Sequence, residues 1–168
     1  YSRKGFIDGR AVRVPTVVVR PGKPNGAASG FASSIIREPL SGVEAVLPVP
    51  PETAMWIASP RTVVAMLLHA LQLAPKAWGW QRSLNLPGLT ATMAEELDAL
   101  KHFAGDAAIG LVKPAIDDQV MRLVTTWAGR FDTSRALAMG FMPDADVATV
   151  VRNYIEDNRS AIKLDVKN

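Results

Sequence analysis

Residues 11–40 read AVRVPTVVVRPGKPNGAASGFASSIIREPL. The valine-dense start (Val12, Val14, Val17, Val18, Val19) has the composition of a strand buried on both faces. Pro15 lacks the N–H that a central strand must donate, so the strand ends or bulges near Val14 and the chain bends there. Residues 20–30 then form a Pro/Gly/Ser-rich loop. Residues 31–38 (FASSIIRE) read as a short helix closed by Pro39. Strand, loop and helix in that order predict an α/β unit. The loop lies beyond a strand's C-terminal end, where open α/β sheets bind ligands. It carries Lys23, Asn25, Ser29, Ser33 and Ser34.

The flanks extend the same pattern. Residues 1–10 read as a ragged helix end and a turn at Asp8-Gly9. A proline-rich excursion over 39–53 holds a short strand at 44–47, and residues 54–58 (AMWIA) form another. Ser59-Pro60 is a helix start, with serine as N-cap and proline at the first helical position, for a helix over 61–73. A loop with Pro75, Trp78, Gly79 and Trp80 leads to a strand at 83–86 and a turn at Pro87-Gly88. Thr92 and Glu95 have capping-box spacing for a helix to about residue 103, stopped by Gly105. A strand over 109–112, a helix from Pro114 to about residue 126, and a short helix over 133–139 capped by Asp132 and stopped by Gly140 follow. Asp144 or Asp146 caps a last helix over 147–156, and 158–168 read as a polar tail.

Composition sets the outer limits. The chain has 168 residues, 48% hydrophobic and 21% charged, enough for a real core and too apolar for general disorder. It contains no cysteine, which excludes disulfides, thiol nucleophiles and Cys-ligated metals. The two histidines, His69 and His102, lack metal spacing. A net charge of +3 with scattered basic residues gives no stripe for nucleic acid. No run approaches the roughly 18–20 apolar residues of a membrane span, and no secretory signal is visible. The expectation is a cytoplasmic protein with neither nucleic-acid nor membrane partner. The first residue is Tyr1 rather than Met, so an upstream segment is expected.

Motifs for chemistry are sparse. Neither G-x-G-x-x-G nor a P-loop occurs, and Gly22, Gly26 and Gly30 have the wrong spacing. Tyr1 and Lys4 lie three apart, with Gly5 at the fourth position, and read as ordinary helix-end residues. Asp117-Asp118 and Glu95-Glu96 are adjacent, hence about 100° apart on a helix, and read as solvated faces. His69 reads as a satisfied helix residue, His102 as a favourable charge near a helix C-terminus, and the four tryptophans as packing residues.

Five segments together resemble the extended short-chain dehydrogenases/reductases, the superfamily of sugar-nucleotide epimerases and dehydratases. Arg13-Val14-Pro15-Thr16 resembles the strand end that passes the nicotinamide ring in these enzymes. Residues 31–40 resemble the short substrate-lobe helix, and residues 55–64 (MWIASPRTVV) the strand-to-helix element. Asn85-Leu86-Pro87-Gly88 with its capped helix, and residues 131–135 before Gly140-Phe141, resemble the closing segments. The resemblance covers about residues 5–157. PTVVVRPGKPN, SSIIREPL and SPRTVV are most similar to those members that oxidise a four-carbon 2,3,4-trihydroxy acid at C2 with NAD.

The resemblance implies an α/β fold: the C-terminal portion of an extended Rossmann-like short-chain dehydrogenase with a small mixed substrate-binding lobe. Residues 1–30 would end the NAD-binding domain. Residues 31–157 would be mainly the substrate-binding lobe, with return segments to the Rossmann sheet, and 158–168 the tail. Val14, Pro15 and Thr16 would contact NAD through backbone. Asn25, Ser29 and Ser33 would hydrogen-bond the hydroxy acid, and Arg37 or Arg61 would pair with its carboxylate. The family's glycine-rich NAD fingerprint, catalytic Ser/Thr and Tyr-x-x-x-Lys belong to the other half, so these residues alone would not transfer hydride, and no catalytic residue is assigned. The arginine that grips a nucleotide diphosphate in many relatives is absent at Ala54-Met55, and Pro60-Arg61 replaces the turn's usual Asp. The expected activity is NAD-dependent oxidation of a small 2-hydroxy sugar acid by a homodimer. The alternatives are a sugar-nucleotide epimerase or dehydratase and a non-catalytic binding module.

Overall fold

The computed structural model describes residues 1–23 and 26–167, Arg3 in backbone only. After a 3-10 turn at Ser2–Lys4 come strand β1 (Ala11–Arg13) and strand β2 (Thr16–Val17), separated at Pro15. The break follows from the missing proline N–H. It passes the chain from one sheet to another: β1 pairs in parallel with β5 (Ser83–Asn85), and β2 in parallel with β4 (Ala54–Ala58). Strand β6 (Leu89–Thr92) runs antiparallel to β4, with Trp56 opposite Thr90. A third pair joins β3 (Ala45–Leu47) in parallel to β7 (Val112–Pro114). The fold is α/β with mostly parallel pairing and one mixed three-stranded sheet.

Helix α1 (Gly30–Leu40) runs two residues past the expected end and contains Pro39. Proline so near a helix end forfeits one backbone bond, while Ser41 N–H still reaches Arg37 and Glu38 carbonyls at 3.1 and 2.9 Å. Its buried residues Phe31, Ile35, Ile36 and Leu40 enter the main core with Leu100 and Phe103 of α4 (Met93–Ile109) and Val150, Val151 and Tyr154 of α7 (Val147–Asp157). Each fully buried aliphatic side chain there contributes about 1.5–3 kcal/mol. Gly105 stands inside α4 at φ 70°, so the chain kinks where a stop was expected and then resumes helix.

Helix α2 (Pro60–Gln72) begins as read: Ser59 Oγ accepts from Thr62 N–H at 3.1 Å. Its Val63, Met66 and Ala70 face a second core with Trp78, Leu84, Leu86 and Phe141. Trp78 ends a short helix α3 (Pro75–Trp78) where a loop was expected. Helix α5 (Asp118–Val124) starts after its Asp117 cap, three residues beyond Pro114, which closes β7 instead. Helix α6 (Ser134–Ala138) has Thr133 as N-cap, and Asp132 accepts from Ser134 N–H at 3.0 Å. The Thr92–Glu95 capping box is formed, and Asp146 caps α7. Within the expected polar tail 158–168, residues 158–167 carry more structure than their polarity suggests. Ile162, Leu164 and Val166 pack on the main core, and Lys163 and Lys167 N–H groups bond Leu40 and Phe103 carbonyls at 2.8 Å.

Candidate functional site

The passage from β1 through β2 into the loop contributes walls to two cavities. The first, about 360 Å³, is lined by Val14 and Thr16, by Ala54, Met55 and Trp56 of β4, and by Trp127 and Phe131 among others. Trp56 and Phe131 rings stack with centroids 4.2 Å apart. Trp127 and Val14 remain 41% and 38% exposed, so the slot has accessible apolar walls. Among the described residues its one lining cation is Arg13, which donates to Asn85 Oδ1 at 3.1 Å. Gly88 sets the closeness of this corner. A Cβ there would lie 2.7 Å from the Ile57 carbonyl oxygen and Trp56 Nε1, and 2.8 Å from Pro15 Cγ. Only a residue without a side chain lets the β5–β6 connection seat against Pro15.

The second cavity, about 330 Å³, has a mixed lining. Arg20, Lys23, Ser34 and Arg37 line it together with Phe31, Val46 and Pro48. Its floor is built by hydrogen bonds. Ser33 Oγ accepts from Arg20 N–H at 3.1 Å and donates toward the Val17 carbonyl at 3.4 Å. Arg37 donates to the Arg20 carbonyl at 2.8 Å, to Ser34 Oγ at 3.2 Å and to Glu38 at 2.6 Å. Both polar groups of the Arg20 backbone are therefore fixed. Arg37 is itself buried and paired with Glu38. On α7, burial pushes the Tyr154 phenol above its ordinary value, with the Arg37 charge opposing.

The expected site residues are distributed as follows. Val14 and Thr16 face the apolar cavity, and buried Pro15 sits behind them against Gly88. Arg37 faces the polar cavity. Ser33 lies beneath, its hydroxyl committed to backbone. Ser29 is the N-cap residue of α1 without a side-chain cap bond. Asn25 lies outside the described residues. Arg61 lines neither cavity; it bonds Asn153, Glu156 and Asp157 on α7 at 2.9, 3.2 and 2.6 Å. The aromatic slot was not anticipated, because Trp56, Trp127 and Phe131 meet only through tertiary folding. Arg20 was read as the loop's edge. The unusual Arg-Pro-Gly-Lys sequence was the signal that could have marked it.

Among the described residues no three His, Cys, Asp or Glu gather as a metal site, and no helix is long and apolar enough to cross a membrane. No family model matches the chain. Over 157 residues it is 51% identical to a D-erythronate dehydrogenase of Cupriavidus necator, covering 94% of this chain and 48% of that protein. A D-erythronate dehydrogenase of Haemophilus influenzae is 46% identical over 156 residues, 93% of this chain and 50% of that protein. The crystal structure of a nucleoside-diphosphate-sugar epimerase from Agrobacterium tumefaciens matches at TM-score 0.92 and 43% identity, over 96% of this chain and 47% of that one. An L-threonine 3-dehydrogenase from Trypanosoma brucei matches at TM-score 0.80 but 16% identity, over 98% of this chain and 50% of that one, a likeness of fold alone. The chain spans about half the length of the curated relatives it matches. The chain is thus similar in sequence to about half of two D-erythronate dehydrogenases, and in sequence and fold to about half of a nucleoside-diphosphate-sugar epimerase.

Proposed function

We propose that the chain is the C-terminal, substrate-binding half of an NAD-dependent dehydrogenase that oxidises D-erythronate at C2 to 2-dehydro-D-erythronate. The observation that carries this reading is the 51% identity to a D-erythronate dehydrogenase across 94% of the chain. The site chemistry agrees. Val14 and Thr16 offer an accessible, mostly apolar face that suits one edge of a nicotinamide ring, held against Gly88 through Pro15. NAD, when bound, accepts the hydride from substrate C2. The residues of this chain bind, orient and exclude water; the hydroxyl proton leaves to a base outside them. Asn25 and Ser29 are assigned to the acid's hydroxyls, and the polar cavity lined by Arg37 to its carboxylate.

Ala54 and Met55 bear on the alternative, a sugar-nucleotide epimerase or dehydratase. Both line the apolar slot, where Arg13 is engaged with Asn85 and a diphosphate would meet mainly tryptophan, phenylalanine and alanine. A homodimer and a cytoplasmic location accompany the main reading. Calorimetric competition tests it: D-erythronate binds saturably and excess UDP-glucose does not displace it. Tight UDP-glucose binding with no D-erythronate binding would transfer the chain to the epimerase reading. Binding of neither would favour a non-catalytic module.

A further inference from the structure

Sequence reading pointed to Arg37 or Arg61 as the carboxylate partner, and the geometry assigns other work to both. Arg61 is occupied on α7 outside the cavities. Arg37 is buried and its charge is matched by Glu38 at 2.6 Å. Two cations on the polar cavity remain. Among the described residues neither Arg20 nor Lys23 makes an ion pair, although both line the cavity. An unpaired guanidinium and ammonium on one small concave surface favour an anion. The end of α1 nearest them adds to this. The helix begins at Gly30 without a side-chain cap or an acid in its first turn, its Gly30 N–H bonded to the Ala27 carbonyl at 2.8 Å, so no carboxylate offsets its positive dipole end.

Preorganisation distinguishes this arrangement from two surface cations. Ser33 holds the Arg20 N–H, Arg37 holds the Arg20 carbonyl, and the same Ser33 hydroxyl reaches Val17, the last residue of β2. The cavity is thereby tied to the strand that Thr16 opens and Val14 precedes, the two residues of the proposed nicotinamide face. With the Arg20 backbone held before binding, only its side chain remains to be ordered when the ligand arrives.

We propose that Arg20 and Lys23 are the carboxylate receptor of the substrate site, and that they select small hydroxy acids over neutral polyols. The claim rests on the hydroxy-acid reading above, and the test separates the two. D-erythronate, glycolate and the uncharged four-carbon polyol erythritol are titrated by calorimetry into the chain and its Arg20→Gln, Arg20→Lys, Lys23→Gln and Lys101→Gln variants, each checked for native circular dichroism. Lys101 pairs with Asp106 on an exposed helix surface and serves as the control. The expected result is binding of both acids and none of erythritol. Arg20→Gln weakens acid binding at least tenfold and Lys23→Gln at least threefold, while Arg20→Lys stays within about fivefold and Lys101→Gln is unchanged. Glycolate binding that depends on Arg20 and Lys23, without D-erythronate binding, upholds the receptor and sinks the substrate reading. D-erythronate binding indifferent to both substitutions overturns the receptor and leaves the substrate reading standing. Absence of any carboxylate binding overturns the receptor.

Discussion

Asp144→Ala should be among the most damaging single substitutions in this chain. The carboxylate is 4% exposed and joins the C-terminal region to the start of α2. Its Oδ2 accepts from Ser59 N–H at 2.8 Å, and its Oδ1 from the Ser59 and Thr62 hydroxyls, both at 2.7 Å. Ser59 is wholly buried, so alanine leaves a backbone donor and a hydroxyl without partner or water. Each orphaned buried donor costs about 1–3 kcal/mol, and hydrogen bonds to a charged acceptor contribute about 1.5–3 kcal/mol each, non-additively. The half-buried Thr62 can turn to solvent, which removes the third bond from the count. The expected loss is about 3–5 kcal/mol, or ~6–20 °C in Tm for a domain of this size. Asp144→Asn keeps the shape and one acceptor and should lose about 1–2 kcal/mol. Urea unfolding followed by circular dichroism measures both, provided the slope m is unchanged. An alanine variant within 1 kcal/mol of the parent, or an asparagine variant as damaged as alanine, would refute the claim that this network locks β4 and α2 to the C-terminal region.

Three further outcomes are expected. Gly88→Ala places a methyl within 3 Å of the Ile57 carbonyl, Trp56 and Pro15, so it should cost about 1–3 kcal/mol and alter tryptophan fluorescence from the apolar slot. Glu96 is buried with both carboxyl oxygens unpartnered among the described residues, and burial pushes it well above the ordinary value of 4.5. The folded state therefore keeps a proton that the unfolded state loses. The contribution of Glu96 to stability is fully present below about pH 4.5 and is lost as pH rises toward the raised native value. Glu96→Met removes that slope and stabilises the neutral-pH protein by about 1–3 kcal/mol, read from urea midpoints at several pH values. Thr92→Ala, which breaks the capping box whose hydroxyl accepts from Glu95 N–H at 3.2 Å, should cost about 1 kcal/mol by the same assay.

What was legible in the sequence was local. Ser59-Pro60 and Thr92-Glu95 announce helix starts because a cap is satisfied within three residues. Pro15 announced the strand break because one missing N–H suffices. The misread elements depended on distant partners. Strand β6 exists because β4 lies beside it, and nothing in LTAT declares a strand. Pro114 resembled a helix start until β3 claimed it as the end of β7. The polar tail is held by carbonyls of α1 and α4 that only the fold brings near. At the site, the loop after β2 was found from its position. The division of labour among its arginines required the Glu38 and α7 carboxylates to be placed in space.

The most direct test of the account is NAD reduction at 340 nm by this chain joined to the complementary half of the Cupriavidus necator relative, with native NAD binding verified first. The account predicts NADH formation that saturates with D-erythronate and none with UDP-glucose, and no turnover by the 168-residue chain alone. A chimera that binds NAD yet leaves D-erythronate untouched, or a lone chain that oxidises it, would contradict the assignment of this chain as the substrate-binding half of a D-erythronate dehydrogenase.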